Sequence, residues 1–215
     1  VIEWLRRRNK PAPAPAAAGP QSRETKETAS RGAHGAEAPS PWVERFAARV
    51  APGSRVLDVA CGRGRHARLF AAQGCIVDAV DIDADAGAAL AQVAGVSFLR
   101  ADIESGPWPY VGRHFDAIVV TNYLHRPLLP RLIESLAPGG TLIYETFVAG
   151  HERFGRPSNP AFLLRPRELL EVFGPPLVVL AFEEGVVSLP RPARVSRICA
   201  VRSLGDAHLR LDAHC

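Results

Sequence analysis

The stretch Val56 to Ala67, VLDVACGRGRHA, runs from apolar residues into a glycine-rich turn. Within it Gly62-Arg63-Gly64-Arg65-His66-Ala67 fits the spacing G-x-G-x-x-[GA], which lets a backbone approach a nucleoside cofactor closely. Asp58 lies inside the apolar run, Asp81 follows Gly62 by 19 positions, and Asp102 stands in the later segment RADIE. A carboxylate beside the turn is a poor neighbour for a pyrophosphate, because like charges close together in a partly buried site repel. It suits an ammonium group. Asp81 can accept both hydroxyl protons of a ribose; Ile82 beside it can cover one face of an adenine. Asp102 can accept from the exocyclic amine of that base, while the Ile103 backbone amide can meet a ring nitrogen. Together these residues suit an adenosine joined to a cationic amino acid, and S-adenosylmethionine is such a molecule. Taken singly, each acid also reads as a solvated strand end or a helix cap, and Asp58 as a tie for nearby loop amides.

For those residues to converge, the elements carrying them must end on one side of a sheet. RVLDVA, CIVDAVDI, VSFLRADI, FDAIVVTN and TLIYETF read as strands. Between them RHARLFAAQ reads as a helix stopped by Gly74, and Asp83 caps a helix with Ala86, Ala89, Leu90 and Val93 at helical spacing. Leu128, Leu132, Ile133 and Leu136 mark another helix, after which LAPGG turns the chain into the fifth strand. The folded unit opens at SPWVERFAARV, with Ser40 as cap, Pro41 at the first helical position, and Trp42, Phe46 and Val50 as one apolar stripe. This alternation predicts an α/β fold, a Rossmann-like doubly wound sheet with helices on both faces and ligands beyond the carboxyl ends of its strands. The last third departs from the rhythm. VAGHERFGRPSNPAFLLRP reads as a long loop, a lid or linker; PRELLEVF reads as a helix. LVVLAFEE and SRICAVR follow with too little between them for a crossover helix, so they read as an antiparallel pair.

A chain of 215 residues with 47% hydrophobic content supports one core. We expect a domain over 40–203, a disordered Pro/Ala-rich basic leader over 1–39 and a flexible tail over 204–215. Residues 1–40 hold seven Arg or Lys against four Glu, so most of the formal charge of +4 comes from the leader. Only its RRRNK run is dense and no aromatic residue is interleaved, which reads as a solvated leader rather than a nucleic-acid arm. The only lysines are Lys10 and Lys26, which leaves the folded part without a P-loop lysine or a Schiff-base lysine. Four cysteines without a C-x-x-C pair predict a reducing, cytoplasmic setting with neither a disulfide framework nor a zinc site. His208, His214 and Cys215 are too irregularly spaced for a metal site. The longest apolar runs fall far short of a bilayer span, so no membrane association is expected.

Taken in order, VLDVACGRG, VDAVDID, RADI, FDAIVVTNYLHR and LAPGGTLIYE resemble the successive motifs of class I S-adenosylmethionine-dependent methyltransferases. The likeness covers roughly residues 54 to 202, and within the class the chain is most similar to the small bacterial group that includes tellurite-resistance methyltransferases. The resemblance implies a seven-stranded sheet of order 3-2-1-4-5-7-6 with an antiparallel last strand. It also implies that Gly62 and Gly64 form the cofactor turn together with Ala60, where many members carry glycine. Asn122 is expected near the methionyl end of the cofactor.

Methyl transfer from a sulfonium is an in-line displacement, so catalysis can come mostly from alignment and the exclusion of water. A general base matters only when the acceptor must first lose a proton. The candidates are His125, Tyr123, Glu145 and His151; His125 is preferred because it follows strand four, facing the methyl donor, and because histidine titrates near neutrality. A loop histidine bonded to a backbone carbonyl is the competing reading. The run [DNS]-P-P-[YFW] of amino-methylating DNA enzymes is absent, its place taken by TNYLHRP, which favours a small-molecule acceptor. Arg153, Arg156, Arg165 and Arg167 in and after the lid can receive an anionic acceptor, or can simply pair with Glu152, Glu168 and solvent. Two other functions stay open. An NAD(P)-dependent oxidoreductase would have to explain Asp58, the lack of a second substrate domain and the terminal hairpin; a binding protein that holds the cofactor without catalysis conflicts with no residue. Oligomeric state is not legible in the sequence.

Overall fold

Val56, Leu57, Asp58 and Val59 are all buried because β1 (Arg55–Val59) runs through the middle of a sheet covered on both faces. The computed structural model describes residues 38–203. Nearly all of the leader, with Lys10, Lys26 and the RRRNK run, and the tail with His208, His214 and Cys215 lie outside the described residues.

The strands β1, β2 (Ile76–Asp81), β3 (Val96–Arg100), β4 (Phe115–Thr121), β5 (Leu136–Phe147), β6 (Val178–Val187) and β7 (Ala193–Val201) form one sheet of order β3-β2-β1-β4-β5-β7-β6. Pairing is parallel from β3 through β5, and β7 runs antiparallel to both β5 and β6. The expected architecture, strand order and reversed strand are therefore those observed. Alternation along the strands sends Leu57, Val59, Ile118 and Val120 to one core with Trp108, Tyr110, Tyr144 and Phe173. Val56, Val77, Ala79 and Val119 face the other core, with Trp42, Phe70 and Leu90.

Among the described residues five helices cover these faces: α1 (Pro41–Ala47), α2 (Arg65–Ala72), α3 (Ala84–Leu90), α4 (Leu129–Glu134) and α5 (Glu168–Phe173). Both expected caps form, Ser40 accepting from the Trp42 amide and Asp83 from the Asp85 amide. Trp42, Phe46 and Val50 are all buried.

Two boundaries differ from the expectation. Leu136 begins β5 rather than closing α4, because it pairs with Phe115 and both are fully buried. LAPGG is thus part of the strand, and the register shifts between Phe115 and Ala117 to absorb it. The expected loop, VAGHERFGRPSNPAFLLRP, carries two short 3-10 turns, His151–Arg153 and Pro160–Phe162, and Val148 bridges Leu164. Among the described residues no helix is long and apolar enough to cross a membrane.

Candidate functional site

Where β1 ends, the chain turns through left-handed backbone at Ala60 (φ +52°), Gly62 (φ +54°) and Gly64 (φ +75°) before entering α2. A Cβ on Gly64 would sit 2.3 Å from Cδ2 of Leu90, so glycine there is required by packing as well as by dihedral. Ala60 adopts the same region without that freedom, which makes it a larger departure than its small size suggests.

Asp81 ends β2 directly beside this turn and is only 4% exposed. Its Oδ2 accepts from the Gly62 amide at 2.8 Å and its Oδ1 from the Asp83 amide at 2.9 Å. Each carboxylate oxygen can accept a second hydrogen, so acceptor capacity for two hydroxyls remains. Ile82, next along, is a large apolar side chain left 39% exposed.

Asp58 is 1% exposed and its Oδ2 accepts from the Ala67 amide at 3.0 Å. Burial pushes its carboxyl up to about 7, against a downward pull from that amide and from Arg65. The loop tie is therefore present, and the carboxylate is also one whose ionised form a neighbouring cation would favour.

Asp102 follows β3 and organises a tight turn: its Oδ1 accepts from the amides of Glu104 (2.9 Å) and Ser105 (3.1 Å), and its Oδ2 from the Ser105 hydroxyl. Ile103 between them is buried in the core that contains Trp108.

After β4, Asn122 takes a left-handed conformation (φ +54°) and its amide donates to the Glu145 carbonyl at 2.9 Å. Tyr123 is buried, its carbonyl accepting from the Tyr144 hydroxyl at 2.8 Å. The His125 side chain is 21% exposed, with Nδ1 3.6 Å from Oε2 of Glu104.

The other base candidates are each engaged by neighbours. Glu145 accepts from the Ser40 hydroxyl (2.7 Å) and from Arg197 (3.2 Å), so its carboxylate is committed to an ion-paired network. His151 is buried, its Nδ1 accepting from the Arg194 amide (3.2 Å); the proton then lies on Nε2, which donates to the Arg156 carbonyl (3.1 Å). That is the loop-histidine arrangement, found at His151.

Three polar residues of this region escaped the sequence reading. His66, inside the fingerprint itself, is buried between α1 and β4: its Nε2 accepts from the Ser40 amide (3.1 Å), leaving an Nδ1 proton to face Thr121 Oγ1 (3.4 Å). Burial and Arg65 hold it neutral, with its pKa pulled down to about 3. Arg126 grips Glu168 with two bonds, at 2.6 and 2.9 Å, and donates to the carbonyls of Ala161 (3.1 Å) and Leu163 (2.9 Å). This fastens the 148–167 segment to the loop after β4. Glu104 is the third.

Of the lid arginines, Arg165 lies 3.6 Å from Glu168 and 3.7 Å from Glu171, and the Arg167 amide donates to Glu184 at 2.8 Å. Arg153 and Arg156 are exposed. Glu152 accepts from the Gly150 amide at 2.8 Å.

Residues 56–140 match a family model described as a methyltransferase domain. The chain is 37% identical over 99 residues to a trans-aconitate 2-methyltransferase of Methylobacterium nodulans, covering 43% of this chain and 38% of the relative. Among solved structures it resembles TehB from Haemophilus influenzae (TM-score 0.64, 20% identity, 75% of this chain and 61% of that one). It also resembles the N-methyltransferase NodS from Bradyrhizobium japonicum WM9 in complex with S-adenosyl-L-homocysteine (TM-score 0.55, 19% identity, 74% and 83%). At such identities the structural likenesses concern the fold, and the chain spans less than two thirds of the length of the first two relatives.

Proposed function

We propose that the chain is a class I S-adenosylmethionine-dependent methyltransferase and that it transfers a methyl group from that cofactor to a small-molecule acceptor, a reading supported by the match of residues 56–140 to a methyltransferase domain. The observation that carries this reading is the placement of Asp58 within β1 before the Ala60–Gly64 turn, Asp81 at the end of β2 and Asp102 just after β3, three neighbouring parallel strands. When bound, S-adenosylmethionine supplies a methyl group activated on a sulfonium centre. In this reading Asp81 takes the ribose hydroxyls on its remaining acceptor positions, Ile82 covers the adenine, and Asp102 and the Ile103 amide recognise the base edge. Ala60 and Gly62 keep bulk out of the cofactor's way, Gly64 lets the same turn pass close over Leu90 into α2, and Asp58 and Asn122 serve the amino-acid end. The buried pair Tyr123 and Leu124 and the fastened 148–167 segment exclude water and align the acceptor. His125 acts as base for an acceptor that must lose a proton.

The name of the Methylobacterium relative suggests a polycarboxylate as one acceptor class, and exposed Arg153 and Arg156 in the lid suit an anion. We further take 40–203 as the domain and the cytoplasm as its setting, which the buried free thiols of Cys61, Cys75 and Cys199 fit.

Calorimetric titration with S-adenosylhomocysteine and with NAD tests the cofactor. Binding of the first and not the second is expected; the reverse overturns the reading in favour of an oxidoreductase. Release of demethylated cofactor in the presence of carboxylates, thiols, phenols and oxyanions of selenium or tellurium then identifies the acceptor. Firm binding with no turnover across that panel would indicate a non-catalytic binding protein.

A further inference from the structure

Glu104 was not a site residue in any reading of the sequence, yet its carboxylate is the acidic group set against His125. We infer that Glu104 is the positioning residue for His125, holding the imidazole by Nδ1 so that Nε2 is left as the proton acceptor; this rests on the reading of His125 as the base.

The geometry has three parts. First, Nδ1 of His125 and Oε2 of Glu104 are 3.6 Å apart, close enough that a small rotation of either side chain completes a hydrogen bond. Second, the Glu104 side chain is only 8% exposed. A carboxylate that deep in the protein is stabilised by each donor that faces it, and an Nδ1 proton on His125 would add one. Third, the backbone at Glu104 is fixed: its amide donates to Asp102 at 2.9 Å, and Ile103 anchors the same turn in the core. The turn that offers Asp102 to a nucleoside therefore sets the position of Glu104, and through it the ring of His125. An orienting carboxylate on one imidazole nitrogen with the reacting group at the other is a general solution for placing a histidine base.

The consequence is a tautomer. A neutral imidazole in water prefers its proton on Nε2; a carboxylate at Nδ1 reverses that preference. Nitrogen-15 spectra of the full chain, recorded where imidazole is neutral and assigned with His125→Gln, read the tautomer without any acceptor. In the parent chain His125 is expected to carry its proton on Nδ1. Glu104→Ala should return the ring to the Nε2–H form, and Glu104→Gln, whose amide oxygen still accepts, should keep most of the Nδ1–H form. Should the parent chain show the Nε2–H form, or should both variants leave the tautomer unchanged while only lowering the melting temperature, Glu104 is merely structural and the inference is overturned. Titration of the same samples with S-adenosylhomocysteine separates the two questions: failure of the parent chain to bind it removes the methyl-transfer reading and leaves the tautomer result standing.

Discussion

The Gly62 amide donates to Oδ2 of Asp81 at 2.8 Å, joining the turn after β1 to the end of β2 across 19 residues of sequence. One carboxylate thus both shapes the glycine turn and retains the lone pairs proposed to receive ribose. Binding and local architecture share a residue here, so the two effects of removing it must be measured separately.

Asp81→Ala is expected to lose two amide acceptors, at Gly62 and Asp83, and to destabilise the chain by about 1–3 kcal/mol. Asp81→Asn keeps one acceptor and should cost less. Affinity for S-adenosylhomocysteine should fall at least about tenfold in both, because an amide replaces neither charge-assisted bond fully. Chemical denaturation reads the first effect and calorimetry the second; unchanged affinity in a folded Asp81→Asn variant would remove this residue from the site.

Asp58 and His66 give the pH dependence opposite slopes. The folded Asp58 carboxyl, raised from 3.8 to about 7, holds a proton that the unfolded chain releases, so its contribution favours folding at low pH and is lost as pH rises towards 7. His66, lowered from 6.5 to about 3, contributes above 6.5 and loses that contribution as pH falls towards 3. Asp58→Asn removes only the first. The variant is expected to be more stable than the parent by about 1–3 kcal/mol near pH 8, with a steeper rise of stability between about pH 4 and 6.5, and to bind S-adenosylhomocysteine more weakly. Denaturation curves across pH test the slopes.

What the sequence made legible follows from what periodicity encodes. Two-residue and 3.6-residue patterns report which face of an element is buried, so β1, α2 and the Ser40 and Asp83 caps could be placed from their own residues. The placement of Asp58 in β1, Asp81 at the end of β2 and Asp102 just past β3 was legible because the strand limits follow from the same patterns. Pairings between loops carry no such signal. His66 meets Ser40 from 26 residues away, Arg126 meets Glu168 from 42, and Glu104 meets His125 only because the 101–114 segment folds Trp108 and Tyr110 into the core. Nothing in the local sequence distinguishes these from solvated charges. The start of β5 was missed for a related reason: the Phe115 to Leu136 pairing overrides a proline and two glycines that locally spell a turn.

Ala60 and Gly64 should respond oppositely to exchange. Alanine at φ +52° carries about 1 kcal/mol of conformational strain, so Ala60→Gly is expected to be neutral or to stabilise by up to about 1 kcal/mol, the gain limited by the freer unfolded chain. Gly64→Ala adds both the strain of φ +75° and a collision with Leu90, and should cost more than about 2 kcal/mol. Leu90→Ala in that background should relieve the collision and leave the strain, so the double variant should lose less than the sum of the two single changes, the cavity cost being read from Leu90→Ala alone. Melting temperatures of the four variants decide it.

Arg126 is the fastening of the 148–167 segment, and its removal should release that segment before the rest of the fold. Burial alone would lift the Glu168 carboxyl, but the paired guanidinium and the Arg165 amide outweigh it and hold it below the ordinary glutamate range. That contribution is present above the unfolded value and is lost as pH falls through the folded one. Arg126→Ala strands a carboxylate only 3% exposed and strips a donor from the carbonyls of Ala161 and Leu163, an expected cost of about 3 kcal/mol at neutral pH that shrinks on acidification. Replacing Glu168 by Leu in the same chain removes the stranded charge and should recover much of the loss, but not the carbonyl contacts. The local release has its own readout. Trypsin cannot readily cut after Arg156 or Arg165, each followed by proline, which leaves Arg153–Phe154 inside the segment and Arg167–Glu168 at its end; cleavage at Arg153–Phe154 reports the segment's interior. Faster cutting there in Arg126→Ala, persisting in the double variant, is the expected result; equal rates in all three chains would mean that contacts other than those of Arg126 hold the segment in place.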